Sequence, residues 1–296
     1  MKRNTVNARI NQLCHVVRWG VKMELLPESV LSALLTVDAL RPGETDAPES
    51  IERDGVAAEH VRACLPFMGP MLRDMVLLQM FSAMRGKEVF TLRSCEVDTT
   101  GKAWTYTLAK HKTQHHGKKR VVKLGPQAKA ALGRWLLSDL QAYVFAPARA
   151  ESARLAERKA GDNPPPTQVD GPRQDQVRWG RKPLAERYNK DTYNRAIRRA
   201  IDRAFPPPAE LRRLKGETPK MWRTRLGPEN WEKLKADRKQ YTWTPHQLRH
   251  AQGQLARDVL SVEHAQAMMG HANVKMTEKY AKDVSARAEE AALKIG

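Results

Sequence analysis

Residues 244–250 read Thr244-Pro245-His246-Gln247-Leu248-Arg249-His250. Thr244 can cap a helix, Pro245 suits its first position, and Gln247 can reach back to the Thr244 amide, so a helix starts here. It is expected to run to about Val259. A spacing of three puts His246 and Arg249 on one face, near the positive end of the helix. Beyond it, Ser261 can cap a second helix that stops at Gly270, and Thr277 can cap a last one through Tyr280 to Lys294. The C-terminal third therefore reads as helical.

Upstream the periodicity changes. Trp104 to Leu108 and Arg120 to Leu124 read as strands, joined by the polar hairpin tip KHKTQHHGKK. Around them, Val61 to Phe81 and Gln127 to Ala142 read as amphipathic helices, and Val89 to Val97 as a helix end leading into a strand. Pro147 to Lys190 is rich in Pro, Arg and Lys with few apolar residues, and reads as a long basic surface loop. Asp191 to Phe205 returns to a helix capped by Thr192. The basic stretch Pro206 to Tyr241 holds Trp222 and Trp231, which argue that it packs.

At the front, Val6, Ile10, Leu13, Val17 and Val21 recur at helical spacing, and Ser29 to Leu40 is a second helical run. Arg41 to Asp54 (RPGETDAPESIERD) has almost nothing to bury and reads as a linker. The expected organisation is a partial helical domain over 1–40, a linker over 41–55 and a larger domain over 56–296. Within the last, 147–190 and 206–241 are basic variable segments. The fold class is mainly α with a small antiparallel sheet, α+β.

Lys and Arg total 52 against 33 Asp and Glu, a net charge of +19. Self-repulsion of that size points to a polyanionic partner, and nucleic acid is favoured over an acidic membrane surface. Cys14, Cys64 and Cys95 are scattered, which argues against a disulfide framework or a zinc site. There is no long apolar run and no signal-peptide core, so a reduced, cytoplasmic protein that does not enter a membrane is expected. No Gly-rich phosphate loop and no carboxylate cluster occur, so no nucleotide, metal or other cofactor is expected.

Four patterns could carry chemistry: Arg85-Gly86-Lys87-Glu88, the hairpin lysine Lys112, His246-Gln247-Leu248-Arg249-His250, and Gly270-His271 with Tyr280 nine positions on. Each has an ordinary reading. Arg85 and Glu88 could be a surface ion pair, and Lys112 a solvated tip. His246 and Arg249 could touch only a DNA backbone, Gly270 is a helix stop, and a lone tyrosine is usually packing.

In this order, however, the four motifs resemble the catalytic domain of the tyrosine recombinases and phage integrases. Segments VNARINQLCHVVRWGV, HKTQHHGKKRVVKLGPQA and HQLRH are similar to phage-type integrases of planctomycete bacteria. The resemblance spans nearly the whole chain and is weakest across 147–190 and 206–241. It implies that Arg85 and Arg249 hold the scissile phosphate, and that Tyr280 is the nucleophile of a 3′-phosphotyrosyl bond. His246 would act as base or hydrogen-bond partner, Lys112 would protonate the leaving 5′-hydroxyl, and His271 would bond the phosphate. Glu88 and His250 would orient their neighbours. Lys118, Lys119 and Arg120, with Arg178, Arg181 and Lys182, are expected to track phosphates.

The family further implies double-stranded DNA as partner, a homotetramer on DNA and a possible DNA-bending accessory protein. Only the last two helices of a core-binding, DNA-clamping domain are expected at the front. The last helix, Val284 to Ile295, is expected to dock on a neighbouring protomer. Two alternatives share some features: a type IB topoisomerase relaxing one duplex, and an inactive DNA-binding relic.

Overall fold

A computed structural model describes residues 1–49, 54–109, 120–160, 184–270 and 288–295. The chain divides into two compact units, Met1–Arg53 and Asp54–Gly296.

In the first unit, α1 (Arg3–Lys22) and α2 (Glu28–Leu35) form a helical pair. The second helix stops five residues earlier than the periodicity predicts, because the Thr36 hydroxyl turns back on the Ala33 carbonyl at 2.7 Å. The chain that follows is tied to α1. Asn7 donates to the Leu40 carbonyl at 3.0 Å and accepts from its amide at 2.9 Å, and Arg3 reaches Glu49.

The second unit is mostly helical around a small sheet. The expected single helix over Val61–Phe81 is two: α3 (Ala58–Cys64) and α4 (Pro70–Ser82). Pro66 and the Gly69-Pro70 pair divide it, since proline cannot continue a helix but opens one well. Short α5 (Gly86–Phe90) leads to β1 (Val97–Asp98), β2 (Trp104–Thr107) and β3 (Val121–Leu124). The three strands form an antiparallel sheet in sequence order, with Val97 opposite Tyr106 and Tyr106 opposite Val122. Helix α6 (Pro126–Gly133) is shorter than expected. Past Gly133 the chain turns so that Trp135 Nε1 can donate to the buried Asp74 carboxylate at 2.6 Å.

Residues 147–160, read as basic loop, instead form α7 (Pro147–Ala160). Its alanines supply helix propensity, and Ala150 and Ala153 pack on the main core, so small side chains do what large apolar ones usually do. Helix α8 (Lys190–Ala204) is capped by Asn189, not Thr192. Asn189 Oδ1 accepts from the Thr192 amide, and Thr192 Oγ1 accepts from the Asn189 amide, each at 2.9 Å.

The tryptophan-bearing stretch does pack. In α9 (Pro219–Tyr241), Trp222, Leu226 and Leu234 form a separate small core with Leu211. Gly227, at φ 68°, kinks the helix before Pro228. Helices α10 (Pro245–Val259) and α11 (Val262–Met269) lie where the capping signals put them. Gln247 Oε1 accepts from the Thr244 amide at 3.0 Å, and Gly270 ends α11 at φ 60°. The expected cap at Thr277 lies outside the described residues. Residues 288–295 are helical, and Ala291 is buried with Ala256 and Ala265. No helix among the described residues is long and apolar enough to cross a membrane.

Candidate active site

The site begins where α4 ends. Ala83 takes a left-handed conformation, φ 53°, which turns the chain sharply into Met84 and Arg85. A side chain in that region costs about 1–2 kcal/mol, so the turn must be held. Arg249 holds it: its Nη1 donates to the Ala83 carbonyl at 2.6 Å, and its Nη2 donates to the Met269 carbonyl. One buried guanidinium thus joins the end of α4, the first turns of α10 and the end of α11.

Arg85 caps α5. The Glu88 carboxylate accepts from the Arg85 amide at 2.8 Å and from its Nη1 at 2.9 Å. Glu88 also accepts from Arg120 Nε at 3.3 Å, so one buried carboxylate serves two arginines. Burial pushes the Glu88 carboxyl up, but the charge of Arg120 and the bonds from Arg85 outweigh it and leave it below the usual range. Burial lowers Arg120 as well, against the pull of Glu88.

Arg249 feels the strongest effect. Burial, then the like charges of Arg85 and Arg120, push it down to about 9, so it stays cationic at neutral pH. Arg85 and Arg120 pair with Glu88, and Arg249, bonded to two backbone carbonyls, adds a third positive charge near them. Such a cluster is stabilised by an added anion, and the paired N–H groups of arginine suit a phosphate. The Arg85 side chain is 45% exposed and remains available to one, while Arg249 is 1% exposed.

His246 is exposed on the first turn of α10, and its ring meets His250 edge-on at 4.6 Å. Arg85, Glu88, Arg120, Arg249, His246 and His250 thus fall within the described residues. Lys112, Lys118, Lys119, Arg178, Arg181, Lys182, His271 and Tyr280 lie outside them.

Arg120 differs from expectation. It is buried, 6% exposed, and faces Glu88 instead of presenting itself at the surface to DNA. Strand alternation explains this: Arg120, Val122 and Leu124 point inward while Val121 points out. Gln79 was not singled out from the sequence, although a glutamine amid the apolar positions of α4 is itself a signal. Among the described residues no three His, Cys, Asp or Glu side chains come together to hold a metal.

The described part of the site is thus a set of guanidiniums at the end of α4, with His246 exposed on the first turn of α10. Residues 221–287 match the phage integrase family. No curated protein matches the chain. A solved structure, the XerH site-specific recombinase bound to its difH substrate in a pre-cleavage complex, is similar at 14% identity with a TM-score of 0.38. The similarity covers 83% of this chain and 59% of that one.

Proposed function

We propose that this chain is a site-specific DNA recombinase that cuts and rejoins strands through a 3′-phosphotyrosyl bond to Tyr280, in integration or excision. The observation that carries the reading is the concentration of positive charge where Arg85 and Arg120 share the carboxylate of Glu88 and the charges of both lower the buried Arg249. Attack on a phosphodiester builds charge on its non-bridging oxygens, and Arg85 and Arg249 are the groups to take it up. The Tyr280 oxygen attacks phosphorus, the P–O5′ bond breaks, and the energy of that bond is kept in the phosphotyrosine.

An unperturbed tyrosine ionises near pH 10, so His246 takes its proton while Lys112 gives one to the departing 5′-oxygen. His271 bonds the phosphate, and Glu88 with His250 orients the others. Lys118, Lys119, Arg178, Arg181 and Lys182 meet the DNA backbone. Four protomers act on two duplex sites in the cytoplasm, with a DNA-bending protein as possible aid. Residues 1–40 clamp the DNA as part of a core-binding domain, and the catalytic domain spans 56–296.

The test uses nicked suicide duplexes from DNA flanking the gene. An SDS-resistant protein–DNA complex that is lost in Tyr280→Phe is expected. Salt-sensitive binding with no such complex overturns the reading.

A further inference from the structure

Gln79 is fully buried in α4 and belongs to none of the four motifs. Its side-chain amide makes three hydrogen bonds. Nε2 donates to the Met84 carbonyl at 3.1 Å and to the Pro245 carbonyl at 2.9 Å, while Oε1 accepts from the Tyr193 hydroxyl at 3.1 Å. The orientation of the amide is forced, because carbonyl oxygens only accept and the end facing two of them must be the NH2 group. Burial pushes the Tyr193 phenol well up, so it stays protonated and keeps donating.

Met84 and Pro245 immediately precede Arg85 and His246. The two segments are neighbours at Gly86: a Cβ there would lie in ordinary van der Waals contact, 3.8 Å from the Pro245 Cβ and 3.9 Å from the Gln79 Nε2. We propose that Gln79 is a positioning residue whose amide ties the peptide before Arg85 to the peptide before His246, setting the two halves of the phosphate site in register. The role rests on the recombinase reading above. An apolar residue of equal volume would fill the space but leave two carbonyl dipoles facing each other, and they would part. A shift of one ångström between phosphate-binding groups is enough to cost about a hundredfold in rate.

The test compares wild type with Gln79→Leu, Gln79→Glu and the milder Tyr193→Phe, all in the full chain. Two quantities are read. The first is amide hydrogen exchange in residues 83–86 and 246–249, with α6 as internal control. The second is the single-turnover rate of covalent complex formation on a nicked duplex, together with the protein concentration that half-saturates it.

In the Gln79 variants, exchange is expected to rise about tenfold in both segments and not in α6. The saturated rate should fall about 30- to 100-fold, with the half-saturating concentration within about threefold of wild type. Exchange that is unchanged, or that rises across the whole unit, overturns the proposal, as does an unchanged rate in an active enzyme. If wild type forms no Tyr280-dependent complex, the recombinase reading fails, and exchange alone decides whether the clip exists. If the Gln79 variants do not fold, Tyr193→Phe decides by the same readings, with a loss of about threefold to tenfold expected.

Discussion

A Cβ placed on Gly270 would lie 1.9 Å from Arg120 Nη1 and 2.8 Å from its Cζ. The arginine that braces Glu88 is therefore pressed against the residue before His271. Gly270 also has φ +60°, which side chains adopt at a cost of about 1–2 kcal/mol. Overpacking adds about 1–3 kcal/mol. Gly270→Ala is expected to lose about 2–4 kcal/mol in urea unfolding. In the double variant with Arg120→Ala the clash is gone, so the two costs should fall short of their sum. Additive costs would mean that Arg120 swings clear and that its packing on Gly270 carries no strain.

Glu88→Gln keeps the shape and removes the charge that Arg120 is buried against. Breaking a buried pair in this way costs about 3–5 kcal/mol, and the half-exposed Arg85 contributes little of it. The pH dependence follows from the direction of the shift. The Glu88 carboxyl sits below its ordinary value in the folded protein, so its stabilisation is fully present above the unfolded value of about 4.3. It is lost as pH falls through the folded value. Urea midpoints of wild type and Glu88→Gln should thus be well separated at pH 7 and converge in acid. A separation that stays constant below pH 4 would show that the carboxylate charge is not what stabilises the pair.

The sequence was most legible where one local rule decided the outcome. Thr244, Pro245 and Gln247 fixed the start of α10, and alternation fixed β2 and β3. Rules failed where tertiary packing overrode composition. Ala150 and Ala153 make α7 a packed helix because the core accepts small residues there, while counting large apolar residues predicts a loop. Arg120 looked like one more surface cation beside Lys118 and Lys119 in sequence. Its inward register and its bond to Glu88 became visible only when β3 was paired with β2. Gln79 is the extreme case, since its partners Pro245 and Tyr193 are 166 and 114 residues away.

The excess of positive charge around Glu88 is expected to make the fold sensitive to anions. Burial and, after it, the like charges of Arg85 and Arg120 lower Arg249, and a doubly charged anion bound at the cluster would offset that repulsion. At ten times its dissociation constant it would stabilise by about 1.4 kcal/mol, or about 3–5 °C for a unit of this size. Sulfate should therefore raise the melting temperature above that in chloride at matched ionic strength. Sulfate also stabilises proteins generally, so the decisive quantity is the difference between wild type and Arg85→Ala. Equal sulfate shifts in both would remove Arg85 from the anion site.

His246 separates chemistry from stability more cleanly than either buried arginine does. It is exposed on the first turn of α10, and its nearest aromatic contact is the edge of His250. Truncation there should change stability by no more than about 0.5 kcal/mol. In its proposed role as general base for Tyr280, however, its loss should slow covalent complex formation by about 10²- to 10⁴-fold. The measurement is the single-turnover rate of His246→Ala on a nicked duplex across pH 6–9. If tyrosine deprotonation limits the variant, its rate should climb with pH more steeply than wild type, because hydroxide replaces the lost base. A variant as fast as wild type at neutral pH would assign proton removal to another group, with His250, one turn along the same helix, the first to test.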